Sequence, residues 1–220
     1  MEVSQYIDHT ILAANATEDQ IKQLCQEAKE YNFFSVCVNS AYVPLAKQEV
    51  AGSGVAVCSV VGFPLGMMST AAKVFETKQA IADGADEIDM VINVGWLKDG
   101  KNDLVREEIS QIKAACGDRV LKVIIETCYL TDEEKKVASE LSVEAKADFV
   151  KTSTGFGTGG ATFEDIQIMK DAVNGQAKLK ASGGVRSKEV AEKYIAMGVD
   201  RLGTSSGIKI VKGETSTSGY

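Results

Sequence analysis

The chain contains little of several residue types on which common catalytic and binding modes depend. It has one histidine, His9, among 220 residues. One histidine is too few for a zinc site built on histidines, and it leaves a Ser-His-Asp triad only one candidate base. No acidic cluster has the spacing of a carboxylate metal site. We therefore predict a protein that holds no metal.

Basic residues are also in the minority, with 24 lysines and arginines against 31 acidic residues and a formal net charge of −7. Nucleic-acid binding needs a basic face, so we expect no nucleic-acid partner. Any bound phosphate has to be held by local groups against an unfavourable overall field. No apolar run approaches the roughly 20 residues that span a bilayer, and residues 1–6 show no signal-peptide pattern, so we expect no membrane partner.

The cysteines are five, an odd number, and none forms a CxxC pair; they are Cys25, Cys37, Cys58, Cys116 and Cys128. Scattered cysteines are typical of reduced thiols, which predicts a cytoplasmic protein. Cys37 and Cys58 lie in apolar runs and are most simply explained by core packing.

Eight short runs rich in β-branched residues alternate with helical patterns. The runs lie at residues 6–10, 35–39, 55–61, 87–94, 121–127, 149–154, 178–181 and 201–205. A spacing of about 20 to 35 residues fits successive βα units. Several runs are continuous Val/Ile segments, which is typical of a parallel sheet buried on both faces.

Helical patterns fill the gaps at 71–83, 102–116, 163–173 and 188–197, and TEDQ at 17–20 and TDEE at 131–134 resemble capping boxes. We predict the α/β class: a single (β/α)8 TIM barrel over residues 1–212, with an extra helix on its N-terminal side and a flexible tail at 213–220. A doubly wound open sheet is the alternative, but no GxGxxG motif follows the first strand.

Two lysines stand at the ends of apolar runs and before loops rich in Gly, Ser and Thr. They are Lys151 and Lys180. A buried amine is costly without a partner, and an amine made neutral by burial or a nearby cation is a nucleophile. Adjacent strands are about 4.8 Å apart, so the two amines can approach each other. The pair predicts Schiff-base chemistry on a carbonyl, although an outward or ion-paired lysine is the alternative at each position.

Further polar residues lie on the inner faces of the predicted strands. Asp89 interrupts an apolar strand and needs a cationic partner, either for proton transfer or as a structural ion pair. Lys122 shares a strand face with Glu126 and can be that partner. Asp8 and Thr10 on the first strand can add hydrogen bonds at the barrel mouth, and Thr154 can bind a sugar hydroxyl.

Glycine-rich loops follow the last two strands, with the sequences GGVR at 183–186 and GTSSG at 203–207. Loops in these positions form the usual phosphate site of such barrels, because free backbone N–H groups can cradle an anion. Arg186 can add charge. Gly-Gly also makes plain turns, so it is the two consecutive loops together that favour a phosphate site.

These segments together resemble deoxyribose-phosphate aldolases, a family of class I aldolases with a (β/α)8 barrel. The resemblance runs from residue 6 to about 211 and includes IDHT at 7–10, SVCVN at 35–39, VGFPLG at 61–66, GADEIDMV at 84–91, LKVIIET at 121–127, KTSTG at 151–155, KASGGVR at 180–186 and GTSS at 203–206. It implies reversible cleavage of 2-deoxy-D-ribose 5-phosphate to D-glyceraldehyde 3-phosphate and acetaldehyde, in deoxyribonucleotide catabolism, without a cofactor.

By position, the resemblance makes Lys151 the Schiff-base lysine, with Asp89 and Lys180 as the proton-transfer pair. The substrate contacts that we predict are Asp8, Thr10, Cys37, Lys122, Thr154, Gly155, Gly183, Gly184, Val185, Arg186, Gly203, Ser205, Ser206 and Tyr220. Partners are then small phosphorylated sugars and aldehydes, and a homodimer or homotetramer is possible.

Two positions depart from the family pattern. Ala13 stands where many members carry lysine, and Phe156 stands where some have a basic residue near the phosphate. Two other functions remain open: a phosphosugar isomerase or epimerase with Asp89 as its base, and a barrel that binds such a ligand without turnover.

Overall fold

The computed structural model describes residues 2–216 and shows, within them, one closed barrel of eight parallel strands that pair in chain order. The strands are β1 Ile7–Thr10, β2 Ser35–Val38, β3 Ala56–Val61, β4 Glu87–Val91, β5 Val120–Ile124, β6 Phe149–Lys151, β7 Lys178–Ser182 and β8 Arg201–Thr204. The last strand pairs with the first, which closes the sheet and leaves no free edge. The predicted TIM barrel is therefore confirmed, and the open sheet is excluded.

Helices cover the outside of the barrel. In the described part of the chain they are α1 Glu18–Glu30, α2 Val43–Glu49, α3 Thr70–Ala82, α4 Val94–Lys98, α5 Asn102–Cys116, α6 Asp132–Glu144, α7 Phe163–Val173, α8 Lys188–Ala196 and α9 Gly207–Lys212. Thr17 and Thr131 cap α1 and α6, and both form complete capping boxes, as the sequence predicts.

Alternation along each strand separates an apolar shell from a polar interior. In β4, Ile88 and Met90 belong to the main apolar core, whereas Glu87 and Asp89 form ion pairs inside the barrel. All four side chains are buried. Because both faces of the sheet are buried, the strand sequences are nearly continuous apolar runs that contain isolated charged residues.

Several strands end earlier than predicted. Asn93 caps α4 where the apolar run 87–94 suggested a longer strand, and β6 ends at Lys151 rather than at residue 154. Glu126, beyond β5, adopts a left-handed backbone conformation at φ 55° and ψ 66°. At each of these places the chain turns at the carboxyl end of the strand, where the loops around the barrel mouth begin.

The short helices α2, α4 and α9 were not predicted, because five to seven residues are too few to show a helical period. A single turn of 3-10 helix, Val3–Tyr6, precedes β1. Among residues 2–216, none of the helices combines the length and apolar character needed to cross a bilayer. After α9, the amide of Ser216 donates to the carbonyl of Arg186 at 2.8 Å.

Candidate active site

Lys151 and Lys180 lie opposite each other in the β6–β7 register, and both amines bind one carboxylate oxygen. The distance to Asp89 Oδ2 is 2.7 Å from Lys151 Nζ and 2.9 Å from Lys180 Nζ. Lys151 is 3% exposed, and Lys180 and Asp89 are fully buried. The three predicted catalytic residues are therefore brought together inside the barrel, and neither lysine faces outward.

A second layer of charges lies next to this group. Lys122 binds Asp89 at 2.8 Å and Glu87 at 2.6 Å, so it is the structural partner that the sequence allowed. Lys180 also binds Asp8 at 2.5 Å, and Arg201 joins Asp8 at 2.6 Å. Asp8 thus lies within the ion-pair network, bound to two cations.

These contacts set the charge states of the cluster. Burial opposes ionisation of Asp89, but the three lysine charges together outweigh it and hold the pKa of Asp89 well below its usual range. Burial also opposes protonation of Lys180, yet Asp8 and Asp89 raise the pKa of Lys180 above its ordinary value. The pKa of Lys122 is raised in the same way, chiefly by Asp89. Asp89 is therefore ionised, and Lys122 and Lys180 are protonated, at neutral pH.

A polar cavity of about 310 Å³ opens at the carboxyl ends of β6, β7 and β8. Among the predicted substrate contacts, it is lined by Gly155, Gly183, Gly184, Val185, Arg186, Gly203, Ser205 and Ser206. The left-handed backbone of Gly183 and Gly184, at φ 77° and 81°, is accessible to glycine at little cost. Backbone N–H groups, hydroxyls and one guanidinium around a small cavity suit an anionic ligand.

The remaining predicted contacts lie around this centre. Thr10 is buried, and its hydroxyl donates to the carbonyl of Asp8. Cys37 is buried in β2 and lies in register with Cys58 of β3. Tyr220 lies outside the described residues.

Two buried thiols and a carboxylate form a group whose dimensions suit a metal ion. Cys37, Cys58 and Asp89 place their donor atoms within 4.8 Å of one another. Asp89 Oδ1 in this group already accepts from Lys122, and the neighbouring ammonium groups repel a cation. The surroundings of this group therefore suit an anion or a neutral carbonyl better than a metal.

Sequence reasoning did not include several residues of the site. Thr158 and three glycines of the loop after β6 (Gly157, Gly159 and Gly160) line the cavity, and the run GFGTGG at 155–160 was a usable signal for them. Arg201 is in the ion-pair network although nothing in its local sequence marks it. Glu126 was noted only for its strand face, yet its carboxylate accepts from both the amide and the hydroxyl of Thr154.

A parallel eight-stranded barrel with a buried lysine pair and a glycine-lined anion cavity at its carboxyl end defines an enzyme of the TIM-barrel class. Comparison with known proteins gives the family. Residues 2–213 match the family model described as DeoC/LacD family aldolase. The chain belongs to this family and is an aldolase, so the resemblance stated from the sequence is confirmed.

Relatives agree over nearly the whole chain. A protein of Finegoldia magna named deoxyribose-phosphate aldolase is 59% identical over 213 residues, which are 97% of this chain and 100% of the relative. A protein of Streptococcus gordonii with the same name is 53% identical over 100% of both chains. A solved tetrameric deoxyribose phosphate aldolase from Aeropyrum pernix has a TM-score of 0.89 at 32% identity, and the match covers 96% of this chain and 89% of that one.

Proposed function

We propose that this aldolase reversibly cleaves 2-deoxy-D-ribose 5-phosphate to D-glyceraldehyde 3-phosphate and acetaldehyde through a Schiff base on Lys151, as a step of deoxyribonucleotide catabolism. The observation that carries the proposal is the sharing of Asp89 Oδ2 by the amines of Lys151 and Lys180. The names of the relatives support the choice of substrate.

The ion pairs of the cluster support Lys151 as the nucleophile. Four basic side chains (Lys122, Lys151, Lys180 and Arg201) meet three carboxylates (Asp8, Glu87 and Asp89) in the ion-paired network that the described residues form inside the barrel. Lys122 and Lys180 each bind two carboxylates, whereas Lys151 shares Asp89 with both. Of the three lysines, Lys151 therefore has the fewest carboxylate partners, and an amine is a nucleophile in its neutral form.

The proposed reaction uses the residues of this cluster as follows. The amine of Lys151 attacks C1 of the open-chain sugar, and loss of water from the carbinolamine gives a cationic iminium. Lys180 holds the proton that the departing hydroxyl needs, and Asp89 keeps that ammonium in place. The C2–C3 bond then breaks, its electrons enter the iminium to form an enamine, and the C3 hydroxyl gives its proton to the now neutral amine of Lys180 as the second aldehyde forms. Lys180 returns this proton to the enamine carbon, and addition of water to the resulting iminium releases acetaldehyde and restores Lys151.

The cavity at the ends of β6 to β8 supplies the binding part of the mechanism. We assign the substrate phosphate to its glycine loops, with Arg186 as the local positive charge. A phosphate held there fixes the sugar chain relative to Lys151 without entering the chemistry. Binding energy from this remote group is thereby used to orient the reacting carbon.

Borohydride trapping tests the proposal. Reduction of the protein in the presence of acetaldehyde or 2-deoxyribose 5-phosphate is expected to leave a stable carbon adduct on Lys151, identified by peptide mapping. The Lys151→Met variant is the matched control and is expected to carry none at that position. Wild-type protein that turns over substrate without a trapped adduct would instead favour an isomerase-type reaction with Asp89 as base, and protein that binds the sugar without turnover would favour a binding function.

We also propose that the chain self-associates as a homodimer or homotetramer. The segment that follows β3 exposes large apolar side chains, with Leu65 at 76%, Met67 at 63% and Phe75 at 70% exposure. Apolar side chains concentrated in one segment are typical of an interaction surface. Light scattering after size-exclusion chromatography is expected to give a multiple of the 23.5 kDa chain mass, and a mass of one chain would contradict the proposal.

A further inference from the structure

Glu126 is a buried carboxylate at the barrel mouth that the mechanism above does not use. It follows β5, is 3% exposed, and adopts the left-handed backbone conformation in spite of its side chain. A non-glycine residue in this conformation costs about 1 kcal/mol or more and persists where surrounding contacts hold it. Strain of this kind concentrates at functional sites.

The contacts that hold Glu126 come from the segment directly after Lys151. The amide of Thr154 donates to Glu126 Oε1 at 3.1 Å, and the hydroxyl of Thr154 donates to Glu126 Oε2. Burial raises the pKa of Glu126, and these hydrogen bonds oppose the rise because they favour the ionised form. The carboxylate therefore joins the carboxyl end of β5 to the loop that follows β6.

These contacts leave the Thr154 hydroxyl one way to bind a ligand. A threonine hydroxyl has one hydrogen and two lone pairs. The hydrogen is donated to Glu126, and one lone pair accepts from the amide of Phe156 at 3.0 Å. The remaining lone pair can only accept a hydrogen bond, so it suits a sugar hydroxyl and opposes a phosphate oxygen.

Glu126 also lies directly against the loop that lines the anion cavity. A Cβ atom on Gly157 would lie 3.3 Å from the carboxyl carbon of Glu126 and 2.7 Å from Cys128 Sγ. Gly155 and Gly157 also line the cavity. The position of Glu126 therefore fixes both the hydroxyl of Thr154 and one wall of the cavity.

We propose that Glu126 is a positioning residue, which orients Thr154 as an acceptor for a substrate hydroxyl and holds the residue 155–160 loop beside Lys151. This inference rests on the proposed function, because it assigns the hydroxyl to the sugar that forms the Schiff base. It adds a specificity determinant: the site selects a hydroxyl donor at Thr154 and an anion only further along the cavity.

The test compares three single variants and one double variant. Glu126→Gly removes the carboxylate. Glycine adopts the left-handed conformation at little cost, so the substitution adds no backbone strain at this position. Thr154→Val removes the hydroxyl. Each is expected to lower kcat/KM for 2-deoxyribose 5-phosphate at least about tenfold, since small displacements of a bound substrate cost up to about 100-fold. Glu126→Gln keeps an acceptor oxygen, so its kcat/KM is expected to fall less than that of Glu126→Gly.

The double variant Glu126→Gly with Thr154→Val is expected to be no worse than the poorer single variant, because the two residues act through one hydrogen bond. Lys146→Gly is the matched control, since Lys146 is an exposed residue at φ 63°. It is expected to leave kcat/KM unchanged. Additive losses in the double variant, or a Glu126→Gly variant within twofold of wild type, would overturn the proposal.

Borohydride trapping separates this inference from the proposed function. The Glu126→Gly variant is expected still to trap an acetaldehyde adduct on Lys151, because the amine and Asp89 are untouched. Absence of the adduct in wild-type protein counts against the Schiff base itself. An adduct in wild type together with unchanged kinetics in the Glu126→Gly variant counts against the role of Glu126 alone.

Discussion

Two buried sets of lysine and carboxylate groups behave in opposite ways in this molecule. The first is the cluster inside the barrel around Asp89. The second is the pair of Lys73 on α3 and Glu108 on α5, whose side chains are fully buried and whose charged atoms are 2.8 Å apart. Burial lowers the pKa of Lys73 and raises that of Glu108, although each partner opposes the other's shift. In the barrel, the pKa values of Lys122 and Lys180 rise and those of Asp8 and Asp89 fall.

The number of opposite charges around each group explains the difference. Lys73 has one carboxylate and the carbonyl of Val91, at 2.8 Å. Lys180 has two carboxylates, and Asp89 has three ammonium neighbours. One partner does not compensate fully for desolvation, but two or three do. The same residue types therefore form a structural pair in one place and a persistently charged site in the other.

The largest expected effect comes from Lys151→Met. Loss of the nucleophile is expected to lower kcat by at least about 10⁴-fold, as removal of a covalent catalytic group does in other enzymes. Because Asp89 keeps Lys122 and Lys180 as partners in this variant, the free energy of unfolding is expected to stay nearly equal. Steady-state kinetics and urea unfolding measure the two quantities. A strongly destabilised variant would mean that Lys151 is a structural cation like Lys73.

Lys73→Met is expected to destabilise the protein by about 3 to 5 kcal/mol, because it leaves Glu108 buried without its partner. Substitution of both residues, Lys73→Met with Glu108→Leu, is expected to recover most of that loss, since it removes the unpaired charge. Urea unfolding of the two variants measures the loss of stability in the first and its recovery in the second. If the double variant is no more stable than the single one, the pair holds α3 and α5 in a way that apolar side chains do not replace.

The pH dependence of stability is expected to differ in sign between the two sets. The pKa of Asp8 is held below its usual range because Lys180 and Arg201 outweigh its burial, so its contribution is present above about pH 3.9 and is lost as the pH falls through the folded value. The pKa of Glu108 is raised, so its contribution is present below about pH 4.3 and is lost as the pH rises through its folded value.

Urea unfolding across a pH series measures these contributions. Asp8→Asn is expected to flatten the acid side of the profile, and Glu108→Gln is expected to flatten the region above pH 4.3. Equal slopes in wild type and Asp8→Asn would contradict the assignment for the barrel.

The smallest effect is expected from an exposed ion pair. Lys188 and Glu192 on α8 are about half exposed, with charged atoms 3.9 Å apart. Glu192→Gln is expected to change the free energy of unfolding by less than about 0.5 kcal/mol, because water screens the pair. Thermal unfolding at low and high salt measures this. If Glu192→Gln lowers the free energy of unfolding as much as Lys73→Met does, burial does not explain the difference between the exposed pair and the buried pair.

Prediction from sequence succeeded where local patterns reflect the whole fold. All eight strands follow from apolar runs, and Lys151, Lys180 and Asp89 stand out because a charge in such a run needs a partner. Arg201 did not stand out, because its carboxylates, Asp8 and Glu87, are 193 and 114 residues away in the sequence. Glu126 was not assigned a role, because its function depends on a backbone turn and on contacts with Thr154 that no spacing in the sequence shows.

The close approach of Gly160 to Gly183 limits how this site can evolve. A Cβ atom on Gly160 would lie 2.4 Å from the backbone of Gly183, and the amide of Ala161 donates to the carbonyls of Ser182 and Gly183. The loops after β6 and β7 are therefore joined, and neither can gain a side chain at this junction. New substrate preferences would have to arise at exposed cavity positions such as Thr158, Arg186 and Ser205, which offers protein engineers a short set of sites to randomise.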